Sequence, residues 1–338
     1  MLEHGGRLRA AAERYRIPLA DWVDLSTGIN PRAYPVPALP PEVWQRLPES
    51  NDGLEAAAAA YYGSAGLLPV AGSQAAIQAL PACFAPGRVV TLAPTYAEHP
   101  HAWRKHQVRA LPAAAIADAV DSADTLLLVQ PNNPDAQRFP RGLLLAWRER
   151  LAARGGRLIV DEAFLDAEPG DSLVPLAAEP GLVVLRSVGK FFGLAGLRLG
   201  FVIGHPQLLA ALDCALGPWA VSAAAQQIGR LALADTHWPI QARQRLQHAS
   251  ARLATLLSQQ GLAQSGTALF RSVWPDAGSL PAAHLHQRLA EQRIWTRLLE
   301  GERAGVRFGL PADAAGWARL EQGLISALSP QHQLPGHQ

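Results

Sequence analysis

The chain has 338 residues, of which 49% are hydrophobic, and its formal net charge is +2. This length and apolar fraction suffice for one large domain or two smaller ones with buried cores. The mild charge, without a basic block, argues against nucleic acid as a partner. The only two cysteines, Cys83 and Cys214, have neither the spacing of a zinc site nor that of a disulfide framework.

The sequence contains no recognisable targeting or membrane-spanning segment. Its first residues, MLEHGGRLRAAAERYRI, are charged and lack the apolar core of a signal peptide. No stretch approaches the run of about twenty apolar residues that crosses a bilayer. We therefore expect a cytoplasmic protein that does not bind membranes.

The central part of the chain alternates short apolar runs with helical patterns. In chain order these are strands at 88–92, 125–130, 157–162, 182–187 and 199–204, with helices at 96–106 and 141–153. Continuous apolar runs that alternate with helices are typical of a buried, mostly parallel sheet covered on both faces. The sequence thus predicts an α/β fold.

The pattern changes after Gly204. The predicted helices are 206–216, 221–234, 238–259, 281–291 and 313–327, and the predicted strands are 23–26, 267–274, 293–297 and 305–309. We expect four parts: an N-terminal arm (1–40) that packs on the small domain, a large domain (41–235), a small α+β C-terminal domain (236–330) and a flexible tail (331–338).

Lysine is almost absent from the chain. Of its 30 basic residues only Lys105 and Lys190 are lysines. Lys190 follows the predicted strand 182–187 in a Gly-rich turn and precedes Phe191 and Phe192. Apolar surroundings disfavour an ammonium, and the free amine, unlike a guanidinium, can attack a carbonyl. We interpret Lys190 as a Schiff-base lysine and Lys105, which has polar neighbours, as a solvated surface cation.

Four further motifs lie at the ends of predicted strands or the start of helices. Gly-Ser-Gln (72–74) precedes a helix, where a phosphate binds well. Tyr96 offers a ring for stacking. Asn133 offers an amide donor. Asp161 ends a strand, where open α/β sheets bind ligands, and a carboxylate there can pair with a protonated pyridine nitrogen. Each motif alone also fits an ordinary structural role, such as a helix start, a buried tyrosine, a turn or a strand-end carboxylate.

The order of these motifs resembles that of the fold-type I pyridoxal-phosphate (PLP) enzymes, the aspartate-aminotransferase superfamily, over nearly the whole chain. The resemblance implies the cofactor pyridoxal 5'-phosphate and a homodimer with active sites at the subunit interface. It implies catalytic roles for Lys190, Asp161 and Tyr96. The cofactor-binding residues that it implies are Gly72, Ser73, Gln74, Tyr96, Asn133, Asp161, Ser187, Lys190 and Arg198.

Two families within this superfamily act on phosphorylated substrates and match the chain: histidinol-phosphate aminotransferase and threonine-phosphate decarboxylase of cobalamin biosynthesis. The openings HGG and DLSTGINP, and the segment RSVGKFFGLAGLRLG, are similar to the decarboxylase patterns. This implies PLP-dependent decarboxylation of L-threonine O-3-phosphate to (R)-1-amino-2-propanol O-2-phosphate. Substrate contacts are implied for His4, Gly5, Gly28, Asn133, Arg297 and Arg307.

Three positions bear on this assignment. Gly28 stands where the decarboxylase often has Asn, so that only a backbone contact remains there. Leu47 stands where related enzymes often have a tyrosine that reaches the cofactor phosphate of the neighbouring subunit, which puts that contact in doubt. Phe164 stands where many aminotransferases have Tyr, and it fits the decarboxylase.

Other readings of the sequence stay open or are disfavoured. A histidinol-phosphate-type aminotransferase and a catalytically inactive PLP-fold binding or regulatory protein remain alternatives. A metal site is not expected, because His99, His101 and His106 lack a clear third or fourth ligand geometry, and we interpret them as surface histidines.

Overall fold

The computed structural model describes residues 4–276, 278–301 and 303–329. The predicted flexible tail, 331–338, lies outside the described residues. The described chain forms two compact units. We call Ala33–Arg243 the large unit, and the residues up to Arg32 together with those from Gln244 onward the small unit.

Short strands occur in both units. Within the described ranges they are β1 (Val23–Asp24), β2 (Leu67–Val70), β3 (Arg88–Leu92), β4 (Gln107–Leu111), β5 (Thr125–Val129), β6 (Arg157–Asp161), β7 (Leu182–Ser187), β8 (Gly200–Gly204), β9 (Gln264–Thr267), β10 (Phe270–Val273), β11 (Ile294–Trp295), β12 (Arg297–Leu299) and β13 (Gly305–Gly309).

The helices differ more in length than the strands. They are α1 (Leu8–Tyr15), α2 (Glu42–Gln45), α3 (Leu54–Tyr62), α4 (Ser73–Ala79), α5 (Glu98–Ala102), α6 (Ala113–Ala119), α7 (Arg141–Ala152), α8 (Pro206–Leu216), α9 (Ala223–Ala234), α10 (Trp238–Gln259), α11 (Ala282–Glu291) and α12 (Ala314–Leu328). Among the residues described, none of these helices has the length and apolar character to cross a membrane.

A seven-stranded sheet forms the centre of the large unit, in the order β2-β8-β7-β6-β5-β3-β4. The strands β3 to β7 run parallel to one another, and β8 runs antiparallel to both of its neighbours, β7 and β2. Strands β5, β7 and β8 are buried along their whole length, so both faces of the sheet are covered there. The predicted α/β fold with a mostly parallel sheet is confirmed.

The two edge strands of this sheet were not predicted. The edge strand β2 (LLPV) contains a proline, which the sequence pattern reads as a strand breaker. The other edge strand, β4, is mostly exposed and lacks an apolar run. The predicted helix at 96–106 is also too long, because only α5 is helical and Trp103 to His106 form a turn that leads into β4.

The small unit contains a four-stranded antiparallel sheet, β12-β13-β10-β9, and the parallel pair β1–β11. The predicted strand 267–274 is instead the hairpin β9–β10, whose turn residues Ala268 and Leu269 are not turn formers. The N–H of Leu269 donates to Oγ1 of Thr267 at 3.1 Å, which helps to close this turn. The predicted strand 293–297 is divided between β11 and β12.

A buried ionic cluster lies on one face of the large sheet, where β6 and β7 end. Arg186 in β7 is 5% exposed and donates to Glu162, at 2.7 Å, and to Asp166. Its guanidinium also lies 4.8 Å from the ring centre of Tyr62. Burial raises the pKa of the Glu162 and Asp166 carboxyls, while the charge of Arg186 opposes this shift. The cluster therefore depends on Arg186 to compensate two buried acids.

We predict that Arg186→Met lowers the free energy of unfolding by about 3–5 kcal/mol, because it leaves both acids buried without their partner. Urea denaturation of the cofactor-free protein measures this change. The control is Arg88→Met, which breaks the solvent-exposed ion pair between Arg88 and Asp124 and should leave the midpoint nearly unchanged. Equal effects of the two substitutions would contradict a special role for the buried cluster.

Candidate active site

A pocket of the large unit lies at the carboxyl ends of the parallel strands β5, β6 and β7, which is where open α/β sheets bind ligands. Val129, Asp161 and Ser187 are the last residues of these strands. All but one of the residues that the resemblance assigns to the cofactor line this pocket: Ser73, Gln74, Tyr96, Asn133, Asp161, Ser187, Lys190 and Arg198. The remaining one, Gly72, directly precedes α4.

Lys190 lies in the turn that follows β7 and is partly buried. Its Nζ is 5.6 Å from the ring centre of Phe164, which also lines the pocket. The next two residues, Phe191 and Phe192, are completely buried, and the ring of Phe192 stacks on that of Trp238 at 5.4 Å. The turn is thus anchored by aromatic packing while the lysine side chain lines the pocket, where an amine can react with a carbonyl.

Asp161 is held by two hydrogen bonds at the floor of the site. Its Oδ1 accepts from the N–H of Ala163 at 3.0 Å, and its Oδ2 lies 2.9 Å from Nε2 of His99. Asp161 is 3% exposed and His99 is 1% exposed. The pair therefore fixes the orientation of the carboxylate.

The interpretation of His99 as a surface histidine is wrong. Helix α5 begins at Glu98 and places the His99 side chain inside, edge-on to the ring of Tyr96 at 6.0 Å. His101 is exposed, as expected. His106 accepts a hydrogen bond from the N–H of Gly87 at 3.2 Å. Within the described part of the chain, no group of three or more His, Cys, Asp or Glu residues could hold a metal ion.

The turn that carries Asn133 is tied to the segment that carries Tyr96. The side chain of Asn132, which is fully buried, donates to the carbonyl of Pro94 at 2.8 Å and to Asp135 at 2.6 Å. Its Oδ1 accepts from the hydroxyl of Thr95 at 2.9 Å. These bonds place Asn133 and Tyr96 on neighbouring walls of one pocket.

The start of α4 forms a tight cradle with Arg198. Gly72 has a φ of +75°, which favours glycine, and a Cβ there would lie 2.4 Å from Nη2 of Arg198 and would displace the guanidinium. A Cβ on Gly200 would lie 2.6 Å from the backbone nitrogen of Ser73. The guanidinium thus lies beside the Gly72–Ser73 turn, and the hydroxyl-bearing Ser187 lines the same pocket. Such a combination suits an anionic group such as a phosphate.

The pocket has the four features that pyridoxal phosphate requires. An amine for the aldehyde, a buried carboxylate for the pyridine nitrogen, an aromatic ring for stacking and a cationic cradle for the phosphate are all present. The residues of the large unit therefore fit this cofactor.

The predicted substrate-binding residues at the N-terminus lie in the small unit, next to Arg307. The N–H of Gly6 donates to Oγ of Ser26 at 2.8 Å, and a Cβ on Gly5 would lie only 2.2 Å from the carbonyl oxygen of Ser26. Arg307 in β13 is 7% exposed, and its Nη2 donates to the same carbonyl at 2.9 Å. Gly5 is therefore needed for the close approach of the two segments, and the φ of +80° at Gly6 favours glycine there as well.

A cavity of about 360 Å³ in the small unit is lined by His4, Gly5 and Arg297. Arg7, which directly precedes α1, and Arg14 in α1 also line it, and the sequence alone did not point to either residue. Arg297 lies directly opposite Arg307 in the pairing of β12 with β13, so the two side chains share a face of the sheet. The buried Gly28 lies in the segment that continues from Ser26.

We predict that His99→Phe weakens pyridoxal-phosphate binding about tenfold or more, because the Asp161 carboxylate loses one of its two hydrogen-bond partners. Fluorescence titration with the cofactor measures the dissociation constant. His101→Phe on the exposed side of the same helix is the matched control and should bind as the wild type does. Equal affinities for all three proteins would contradict the role given to His99.

Known proteins share both the sequence and the fold of this chain. The family model for aminotransferase class I and II matches residues 44–320. A threonine-phosphate decarboxylase of Pseudomonas aeruginosa is 53% identical over 98% of this chain and 100% of its own length. One from Sinorhizobium sp is 41% identical over 95% of this chain and 97% of its own length.

A solved structure of histidinol-phosphate aminotransferase from Sinorhizobium meliloti, in complex with pyridoxal-5'-phosphate, matches with a TM-score of 0.80. The match covers 97% of this chain and 95% of that one at 21% identity, so it bears on the fold alone. The family match, by contrast, includes the whole pocket from Gly72 to Arg198. The chain belongs to the aminotransferase class I and II family.

Proposed function

We propose that the chain is a PLP-dependent threonine-phosphate decarboxylase. It removes the carboxylate of L-threonine O-3-phosphate as CO₂ and releases (R)-1-amino-2-propanol O-2-phosphate. The observation that carries this proposal is the end-to-end sequence match with two decarboxylases of that name. The pocket around Lys190 and Asp161 supplies the residues that such a reaction needs.

The large unit binds and tunes the cofactor in this proposal. Pyridoxal phosphate, when bound, withdraws the electron pair that the broken bond leaves at the substrate Cα. Nζ of Lys190 would hold the cofactor through its aldehyde group. Asp161, oriented by His99, keeps the pyridine nitrogen protonated. Ser73, Ser187 and Arg198 bind the phosphate. Further contacts with the cofactor come from Gly72, Gln74, Tyr96 and Asn133.

The small unit supplies the anion-binding groups for the substrate. Arg307 is the candidate for the substrate carboxylate, since a planar guanidinium binds a carboxylate through two parallel hydrogen bonds. Its position is set by the carbonyl of Ser26. His4, Gly5 and Arg297 are the candidates for the substrate phosphate, with a backbone contact from Gly28. Asn133 of the large unit completes the predicted set.

Orientation of the substrate decides which bond at Cα is broken. Arg307 would select the bond by holding the substrate carboxylate, and the electron sink that the cofactor supplies would let this carboxylate leave as CO₂. The amine of Lys190 is then the candidate to return a proton to Cα. Phe164, at 5.6 Å from this amine, contributes a ring without the hydroxyl that many aminotransferases have.

Two other functions are weaker candidates. The fold is shared with a histidinol-phosphate aminotransferase, but at 21% identity that likeness does not extend to the reaction. A catalytically inactive PLP-fold protein would not need the Lys190 amine and the Asp161–His99 pair in one pocket. Both features therefore favour an active enzyme.

We also propose that the enzyme is a cytoplasmic homodimer that acts in cobalamin biosynthesis, as the family resemblance implies. Large apolar side chains on the surface of the large unit support a subunit interface, among them Trp44, Leu47 and Trp219, which are 69%, 63% and 59% exposed. We propose no partner among nucleic acids or membranes.

Incubation with PLP and L-threonine O-3-phosphate tests the proposed reaction. We expect release of CO₂ without formation of a keto acid. Transamination between histidinol phosphate and 2-oxoglutarate, with no CO₂ from threonine phosphate, would contradict the decarboxylase and establish the aminotransferase instead.

We predict that Lys190→Ala abolishes both the visible absorbance of the bound cofactor and the release of CO₂, because no other amine lines the pocket formed by the described residues. Absorbance spectra and a CO₂ assay measure the two effects. Lys105→Ala, at the only other lysine and on an exposed turn, is the control and should retain both. Full turnover by Lys190→Ala would refute the assignment.

A further inference from the structure

Beside the pocket, Glu98, Gln74 and Tyr96 form a hydrogen-bonded chain, and its outer member, Glu98, has no role in the reaction described above. Gln74 lies in the first turn of α4, and Glu98 is the first residue of α5. Nε2 of Gln74 donates to Oε2 of Glu98 at 2.8 Å, and the hydroxyl of Tyr96 donates to Oε1 of Gln74 at 3.2 Å. Gln78, one turn further along α4, donates to the same Glu98 oxygen at 2.9 Å.

The chemistry of the three groups fixes the direction of these bonds. An ionised carboxylate only accepts hydrogen bonds, so the Gln74 amide must turn its nitrogen toward Glu98. Its oxygen then faces Tyr96, whose hydroxyl must donate. Bonds to an ionised acceptor are about twice as strong as bonds between neutral groups. The charge of Glu98 therefore determines which end of the Gln74 amide the tyrosine meets.

The Tyr96 ring is thus held at two places. At its hydroxyl it is bonded to Gln74, and at its side it packs edge-on against His99, with ring planes 82° apart. His99 in turn is bonded to Asp161. Both Tyr96 and Gln74 line the pocket, whereas Glu98 stands behind them. A ring that must stack on a planar cofactor benefits from such a fixed orientation.

We propose that Glu98 is a positioning residue, which orients the Tyr96 ring through the side chain of Gln74. The proposal rests on the proposed function, since it assumes that pyridoxal phosphate occupies this pocket. In this proposal the side chain of Gln74 orients Tyr96, and the backbone of residues 72–74 binds the cofactor phosphate. It also gives Glu98 a role that is separate from the reacting atoms.

Visible circular dichroism of the holoenzyme tests this proposal, because the dichroism of a bound cofactor reports its orientation against neighbouring rings. We expect Glu98→Ala to lose most of the visible dichroism and about tenfold in kcat/KM, the effect of one lost hydrogen bond to a charged group. Glu98→Gln should recover part of both, because its carbonyl oxygen can still accept from Gln74. Gln78→Ala is the control and should keep the wild-type dichroism, since the bond between Gln74 and Glu98 remains.

The same measurement in a Tyr96→Phe background separates a positioning role from a general loss of structure. If Glu98 acts through the tyrosine hydroxyl, Tyr96→Phe alone changes the dichroism, and adding Glu98→Ala changes it no further. Wild-type dichroism in Glu98→Ala or in Tyr96→Phe would overturn the proposal, as would equal losses from Glu98→Ala in both backgrounds. A wild-type protein that shows no cofactor absorbance would overturn the proposed function as well.

Discussion

The alternation of side chains along two adjacent parallel strands is the constraint on which the site depends. Asp161 is the last residue of β6 and Ser187 the last of β7, and both side chains lie on the side of the sheet that carries the pocket. Glu162, which follows Asp161, and Arg186, which precedes Ser187, face the opposite side because side chains alternate along a strand. There Arg186 joins Glu162 and Asp166 in a buried ionic cluster. The cluster ties together the ends of both strands, and the turn with Lys190 leaves from one of them. The strand ends that carry Asp161 and the Lys190 turn are therefore tied together by contacts that lie outside the pocket.

A second layer of positioning comes from the short segment between β3 and α5. Tyr96 supplies the ring, Glu98 holds Gln74, and His99 holds Asp161. Two of the proposed cofactor contacts, the ring of Tyr96 and the carboxylate of Asp161, are thus bonded to a network that includes residues 96–99. The residues of the small unit that are proposed to bind the substrate anions are positioned by backbone contacts instead. There Gly5 and Gly6 allow the N-terminal segment to reach Ser26, whose carbonyl also accepts from Arg307.

The sequence was most informative where one residue type has a distinct chemistry or a strand is buried on both faces. Lys190 was singled out because the chain has only one other lysine, and β5 and β7 were predicted from their apolar runs, in which every residue proves to be buried. The inward position of His99 was missed, since its partner lies 62 residues away and nothing local distinguishes it from His101. The edge strand β2 was missed because it contains a proline, and β4 was missed because it is mostly exposed and has no apolar run. The hairpin β9–β10 lacks a Gly, Asn or Pro at its turn.

The central claim is that Lys190 forms the covalent link to pyridoxal phosphate, and reductive trapping tests it most directly. The cofactor-loaded protein is treated with borohydride, digested and mapped by mass spectrometry. Since the chain contains only Lys105 and Lys190, the two outcomes are easily separated. We predict a single phosphopyridoxyl adduct on Lys190 and none on the exposed Lys105. An adduct on Lys105 alone, or no adduct on either lysine, would contradict the account.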